Sequence, residues 1–379
     1  MKLIHLSDLH FGKKLAGYDL SDDQRDIARQ ILAIVRDEAP DAVLIAGDVY
    51  DKSIPSEEAV TMFDGFLTEL SNLAPKVLVI AGNHDSSERV SFGGSIMSRA
   101  GVHMAPLYGE ETAEPVTIRD ASGMAADIFM LPFIKPIHVR RVYPDEPIES
   151  FTDAVRVAVS KMRRTEGRPA VLMAHQYVTG ASVSGSESAA DSVGGLDQVA
   201  SEVFDGFDYA ALGHIHRAQK VGRETIRYCG TPLRYSLSEM GQDKSVTVVE
   251  IGGVGDVSIR TVPLTPLHGM REIRGSFAEL VSPQFREKIP EGEFLRVVLT
   301  DEDIIENGLA KLEQYYPHIV EFRYDNTMSR AEQQVTGAQA AAGRKPIDLF
   351  AELFESQNNA PMNDEEREYM ETLIEEIWG

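Results

Sequence analysis

The sequence predicts an α/β protein, and three observations carry that prediction. Short apolar, β-branched runs end abruptly in polar residues. Amphipathic stretches at helical spacing lie between the first of these runs. Histidines and carboxylates gather where the runs end.

The runs come in order. Residues 2–6 lead into Ser7-Asp8-Leu9-His10, residues 42–46 into Gly47-Asp48, and residues 77–81 into Gly82-Asn83-His84-Asp85. Residues 170–174 lead into His175, and residues 209–212 into Gly213-His214-Ile215-His216. Near-continuous apolar runs of this length read as strands buried on both faces. Ser21 opens a helix with Gln24 as its capping-box partner, and Ile27, Ile31, Ile34 and Val35 follow at helical spacing. Pro55-Ser56-Glu57-Glu58 opens the next, with Val60, Phe63, Phe66, Leu67 and Leu70 on its buried side. Residues 226–228, 245–251 and 257–262 read as consecutive antiparallel strands, so the first unit closes near residue 265.

The pattern then resets. A strand at 270–273, a helix at 277–285, a strand at 294–299, a helix at 304–315 and a strand at 319–324 form a small α+β domain over 266–325. Residues 326–345, rich in Gln, Ala, Gly and Thr, read as a linker. Two helices fill 346–379, the first started by Pro346 and the second capped by Asn363 with Glu366.

Composition bounds the function. The 379 residues suit two or three domains, and 43% hydrophobic with 26% charged residues is ordinary for a globular chain. Asp and Glu number 60 against 37 Lys and Arg, a formal charge of -23. A polyanion is therefore not held by the overall field and needs local basic patches or bound cations. Cys229 is the single cysteine, so no intrachain disulfide forms and a reducing compartment is expected. No run approaches the ~18 apolar residues of a membrane span. The N-terminus meets His5 and Asp8 at once, which reads as a first strand and not a leader; a cytoplasmic location is expected.

In an open α/β sheet, ligands bind outside the carboxyl ends of the strands. Asp8, His10, Asp48, Asn83, His84, His175, His214 and His216 all fall there. Carboxylate and amide oxygens mixed with imidazoles, without a thiolate, suit Mn²⁺, Fe²⁺, Zn²⁺ or Mg²⁺. Asp8 and His10 point the same way on an extended segment. His214 and His216 do so only if theirs is extended; a loop would send them to different ions. Asp48 follows a glycine, and one carboxylate there can bridge two ions ~3.5–4 Å apart.

Asp8-Leu9-His10, Gly47-Asp48-Val49-Tyr50-Asp51, Gly82-Asn83-His84-Asp85, His175 and Gly213-His214-Ile215-His216 resemble the ordered motifs of the calcineurin-like metallophosphoesterase superfamily. Ser7 to Gly12, Ala81 to Ser86 and Gly230-Thr231-Pro232-Leu233-Arg234-Tyr235-Ser236 are similar, within it, to the SbcD-type nuclease subunits. The resemblance implies a four-layer α/β/β/α sandwich with a capping domain and C-terminal helices. It implies two Mn²⁺ ions: Asp8, His10 and His216 on one, Asn83, His175 and His214 on the other, Asp48 bridging. His84 is then the catalytic histidine. Asp51, where the archaeal and eukaryotic relatives carry a histidine but other bacterial SbcD-like chains carry Asp, is expected to accept a hydrogen bond from His84.

The resemblance further implies 3′→5′ exonuclease and single-strand or hairpin endonuclease activity on DNA. It implies a homodimer that assembles with an SbcC-type coiled-coil ATPase. Lys135, Arg140 and Arg141, and Arg217 with Lys220 and Arg223, are candidates for phosphate contacts. Phe350, Phe354, Leu373, Ile377 and Trp378 form apolar stripes on the last helices, read as the site for the ATPase coiled coil. Two rivals share the scaffold: a nucleotide or cyclic-nucleotide phosphodiesterase, and an inactive scaffold protein. None of the seven candidate ligands is missing, which argues against the second.

Overall fold

The structure is a computed structural model of the chain. It describes residues 1–184 and 197–327 and, beyond them, Ile347, Phe350, Ala351, Phe354, Met362, Asn363, Glu366, Arg367, Tyr369 and Met370. The chain divides into two compact units, Met1–Met270 and Arg271–Gly379.

In the first unit the strands are β1 (Lys2–Leu6), β2 (Lys14–Leu15), β3 (Tyr18–Asp19), β4 (Ala42–Ala46), β5 (Val77–Ile80), β6 (Val102–Met104) and β7 (Val116–Arg119). They continue as β8 (Ala125–Leu131), β9 (Ala170–His175), β10 (Tyr209–Gly213), β11 (Gln219–Val221), β12 (Arg223–Tyr228), β13 (Lys244–Gly253) and β14 (Asp256–Leu264). The helices are α1 (Ser21–Glu38), α2 (Glu57–Leu73), α3 (Ser87–Val90), α4 (Gly94–Met97), α5 (Pro136–Val142) and α6 (Phe151–Ser160).

Two six-stranded sheets result, ordered β14-β13-β1-β4-β5-β6 and β11-β12-β10-β9-β8-β7. β1, β4, β5 and β6 run parallel, as do β8, β9, β10 and β12. The sheets face each other through one apolar layer. Leu3, Leu44, Leu78 and Ile80 of the first meet Ile128, Met130, Met173 and Ala211 of the second. Strand side chains alternate, so Ile4, Val43 and Ile45 turn to the opposite face, where α1 and α2 bury Ile27, Ile31, Phe63, Phe66 and Leu70. On the far side of the second sheet, Phe129, Leu131 and Leu172 pack with Val139 of α5 and Val155 of α6. The layers are therefore α/β/β/α.

Three local expectations change. Residues 226–228 and 245–251 are not partners: β12 lies in the second sheet beside β10, whereas β13 and β14 pair in the first. Sequence spacing does not say which sheet a strand joins. Val60 is 45% exposed, because the buried stripe of α2 starts at Ala59 and Val60 stands one residue off it. Ser21 does not cap α1: Leu20 holds the N-cap position, and the Gln24 side chain is used elsewhere.

The second unit begins with β15 (Met270–Gly275), followed by α7 (Phe277–Leu280), α8 (Pro283–Arg286), β16 (Phe294–Leu299), α9 (Gly308–Leu312) and β17 (Ile319–Tyr324), with sheet order β15-β16-β17. The helix expected at 277–285 is split, since Ser282 caps a new turn with Pro283 at its start. The helix expected at 304–315 shrinks to α9, because Asn307 takes a φ of 53° immediately before it. Asn363 and Glu366 do form a reciprocal capping box, each backbone N–H donating to the other's side chain at 2.9 Å. Among the described residues no helix is long and apolar enough to cross a membrane.

Candidate metal centre

The loops that follow β1, β4, β5, β9 and β10 converge. Asp8, His10, Asp48 and His214 all adopt positive φ, at 53°, 45°, 49° and 102°. Strained backbone of this kind persists where surrounding structure over-determines it, and it clusters at functional sites. Gly82 makes the approach possible: a Cβ there would fall on the Asp48 carboxylate.

Polar bonds hold the loops. The N–H of Asp8 donates to Gly47 O at 2.9 Å and that of His10 to Asp48 O at 3.0 Å. Gln24 clamps the first loop: its Nε2 donates to His10 O at 2.7 Å, and Gly12 N–H donates to its Oε1 at 3.0 Å. The Tyr235 hydroxyl donates to Leu9 O. Asp85 ties the second and third loops, accepting from the N–H groups of Gly82, Val49 and Tyr50 at 2.9, 3.1 and 3.0 Å. Burial, and then the charge of Asp48, push its carboxyl up to about 6. Glu239 stands behind His216, with Oε1 3.2 Å from Nδ1. Of these organising residues Asp85 and Tyr235 lay inside quoted motifs, Gln24 was read only as a helix cap, and Glu239 carried no chemical signal of its own.

The side chains arrange around one oxygen. Asp48 Oδ2 is 3.7 Å from His10 Nε2 and 3.3 Å from His175 Nε2. On one side, ligand atoms of Asp8, His10 and His216 lie within 4.8 Å of one another. On the other, Asn83 Oδ1 lies 2.9 Å from both His175 Nε2 and His214 Nδ1. His214 and His216 thus turn to different sides, the loop outcome of the two left open by their spacing.

These residues fit a divalent cation. His175 Nδ1–H donates to Ala46 O at 2.8 Å, so Nε2 is the ring atom turned to the oxygens of Asp48 and Asn83, where a cation would take the place of its proton. His10 Nε2 and His216 Nε2 face each other at 3.2 Å, and the buried Nδ1 of His10 has no hydrogen-bond partner. Acceptors converging on a largely buried point call for positive charge between them. The electrostatics agree. Burial works against an ionised Asp48, yet His175 beside it holds its carboxyl well below the usual range. Burial works against a charged His175 too, yet Asp48 and Asp8 hold its imidazole up at about 9. Burial keeps His10 well down, and burial with the His175 charge brings His214 to about 3, so both stay neutral.

His84 closes the cluster. Its ring stacks edge-on to His10 with centroids 4.9 Å apart, and its backbone N–H donates to Asp48 Oδ1 at 2.9 Å. The expected bond to the Asp51 carboxylate is not there. His84 Nδ1–H donates to the backbone carbonyl of Asp51 at 2.9 Å, and the Asp51 side chain accepts from Lys13 Nζ at 2.7 Å. A lysine two residues beyond Phe11 competes for that carboxylate, which the motif alone does not reveal.

A cleft of about 760 Å³ opens beside Asn83 and His214. Lys135 and Arg141 line it together with Tyr108, Phe133, Phe151 and Tyr177. Arg140 and Arg217 are exposed and do not line it. Phe350 and Phe354 are half-buried, whereas Leu373, Ile377 and Trp378 lie outside the described residues.

Two facing sheets whose strand ends gather hard oxygens and imidazoles around one carboxylate are the frame of a metal-dependent phosphoesterase. Comparison with known proteins makes the class specific. The description "Calcineurin-like phosphoesterase" matches residues 1–218, and "Type 5 capsule protein repressor C-terminal domain" matches residues 266–358. A curated relative, the SbcD component of nuclease SbcCD from Staphylococcus epidermidis, is 30% identical over 323 residues, 84% of each chain. A Thermus thermophilus crystal structure aligns at TM-score 0.39 and 12% identity, covering 69% of this chain and 98% of its own. A Danio rerio dimetal phosphatase aligns at TM-score 0.37 and 11% identity, covering 70% and 99%. The chain belongs to the calcineurin-like phosphoesterase family, and its chemistry depends on divalent metal.

Proposed function

We propose that the chain is an SbcD-like nuclease subunit that hydrolyses DNA phosphodiester bonds with two Mn²⁺ ions. The observation that carries the reading is Asp48 Oδ2 standing between His10 and His175. Asp8, His10 and His216 hold one ion, Asn83, His175 and His214 the other, and Asp48 is shared. When bound, such ions polarise phosphoryl oxygens and acidify a water.

The chain's own residues do the rest. Asp51 O fixes the Nδ1–H tautomer of His84. His84 then donates a proton to the leaving oxygen. Lys135 and Arg141 offer charge to neighbouring phosphates. The aromatic side chains of the same cleft offer faces on which bases of a single strand can stack. That mixture favours a nucleic acid over a lone small ester. Arg140 and Arg217 extend the phosphate contacts, and the domain over 266–325 takes part in DNA recognition.

The relative's name includes its place in an SbcCD nuclease. By extension, this chain pairs with an SbcC-type coiled-coil ATPase through the 346–379 helices, as a homodimer in a heterotetramer in the cytoplasm. Alone it acts as a 3′→5′ exonuclease and a single-strand or hairpin endonuclease. The test is cleavage of end-labelled single-stranded, hairpin and duplex DNA with Mn²⁺, with and without the ATPase, beside cyclic nucleotides. Cleavage of DNA but not of cyclic nucleotides is expected. Turnover of cyclic nucleotides with DNA untouched overturns the reading.

A further inference from the structure

A charged group is buried behind His216. Glu239 is fully buried and Lys244 nearly so. Lys244 Nζ turns its three N–H donors to four acceptors: Glu239 Oε2 at 2.5 Å, Thr231 Oγ1 at 2.6 Å, and His216 O and Gln242 Oε1 at 3.1 Å each. Glu239 Oε1 faces His216 Nδ1 at 3.2 Å. On the other edge of the same ring, His216 Nε2 turns to His10.

A buried ion pair is a weak source of stability, because desolvation offsets most of the attraction. This pair has a directional effect instead. An imidazole whose Nδ1–H donates to a carboxylate presents its Nε2 lone pair, and the carboxylate holds the ring plane. Lys244 supplies the countercharge that lets Glu239 remain buried. By also binding the His216 carbonyl, it ties the backbone and the side chain of His216 to one point.

We propose that Glu239 is a positioning residue that sets the tautomer and aim of His216, with Lys244 as its anchor. The 231–244 segment thereby becomes part of one half of the metal centre, although none of its residues is among the seven candidate ligands. The inference rests on the two-metal reading above and adds a residue to it.

The test is Mn²⁺ binding to the full chain by calorimetry, with electron paramagnetic resonance of the loaded protein. The wild type should take two ions and give an exchange-coupled spectrum. E239D keeps the charge opposite Lys244 but draws the acceptor away from Nδ1. It should weaken one of the two ions about 10–100-fold and replace the coupled spectrum with a mononuclear one. E239Q keeps an acceptor at the original reach and should lose less. A purely structural role would lower the melting temperature and leave stoichiometry and spectrum unchanged. Folded E239D with both ions at wild-type affinity overturns the proposal. E239Q weaker than E239D does so too, by placing the effect in the charge. A wild-type chain that binds no pair of ions overturns the two-metal reading itself, and this inference with it.

Discussion

His84 Nδ1 lies 2.9 Å from the backbone carbonyl of Asp51, while the Asp51 carboxylate turns to Lys13. The tautomer of His84 is thus set by a group that no side-chain substitution removes. D51N should keep the wild-type pH profile of turnover. H84Q should retain metal and lose ~10²–10⁴-fold in rate. A shifted profile for D51N would return the carboxylate to the dyad.

In the proposed assignment Asp48 is shared by both ions, so its loss should be felt on both sides. D48N should fold, since the amide can still accept from the His84 N–H now bonded to Oδ1. Metal analysis after dialysis should show both ions weakened together. Selective loss of one ion, with single-strand cleavage retained, would remove Asp48 from the bridging position.

His5 offers a pH test away from the cluster. It is fully buried, and its Nδ1 lies 2.9 Å from the Tyr209 hydroxyl. Burial, then the Arg227 charge, lower its pKa to about 3. In the unfolded chain it protonates near its ordinary value of 6.5. Acidification therefore favours unfolding: the contribution is complete above that value and is lost as pH falls from there towards 3. The loss is roughly 2 kcal/mol at pH 5. Urea unfolding at pH 7.5 and pH 5 should show a smaller difference for H5Q than for the wild type. Equal differences would mean that His5 does not titrate in this way.

Removal of residues 346–379 tests the partner assignment. The truncated chain should keep Mn²⁺-dependent single-strand cleavage and lose ATP-stimulated cleavage of duplex ends. Co-purification with the ATPase at full strength would move the contact elsewhere.

Much of this was legible in the sequence, and the residues show why. Strand ends were readable because a buried apolar run must stop where a polar ligand begins, as at Ala46 and Leu212. The eight clustered side chains were therefore named by position alone. Sheet membership was not readable, since β12 and β13 follow each other in the chain yet join different sheets, and spacing alone does not show it. Gln24 shows how a local rule loses to the site. Its spacing from Ser21 fits a capping box, but its amide serves His10 and Gly12 instead. Glu239 was invisible because its partner, His216, lies 23 residues away.

The central claim is a shared two-metal centre that cleaves DNA. It is tested most directly by titrating metal-free protein with Mn²⁺ while following the cleavage of a labelled single-stranded oligonucleotide. The account predicts negligible cleavage through the first equivalent and a plateau at two equivalents, with no plateau reached in D48N. Full activity at one equivalent, or cleavage that persists in metal-free protein, would contradict it.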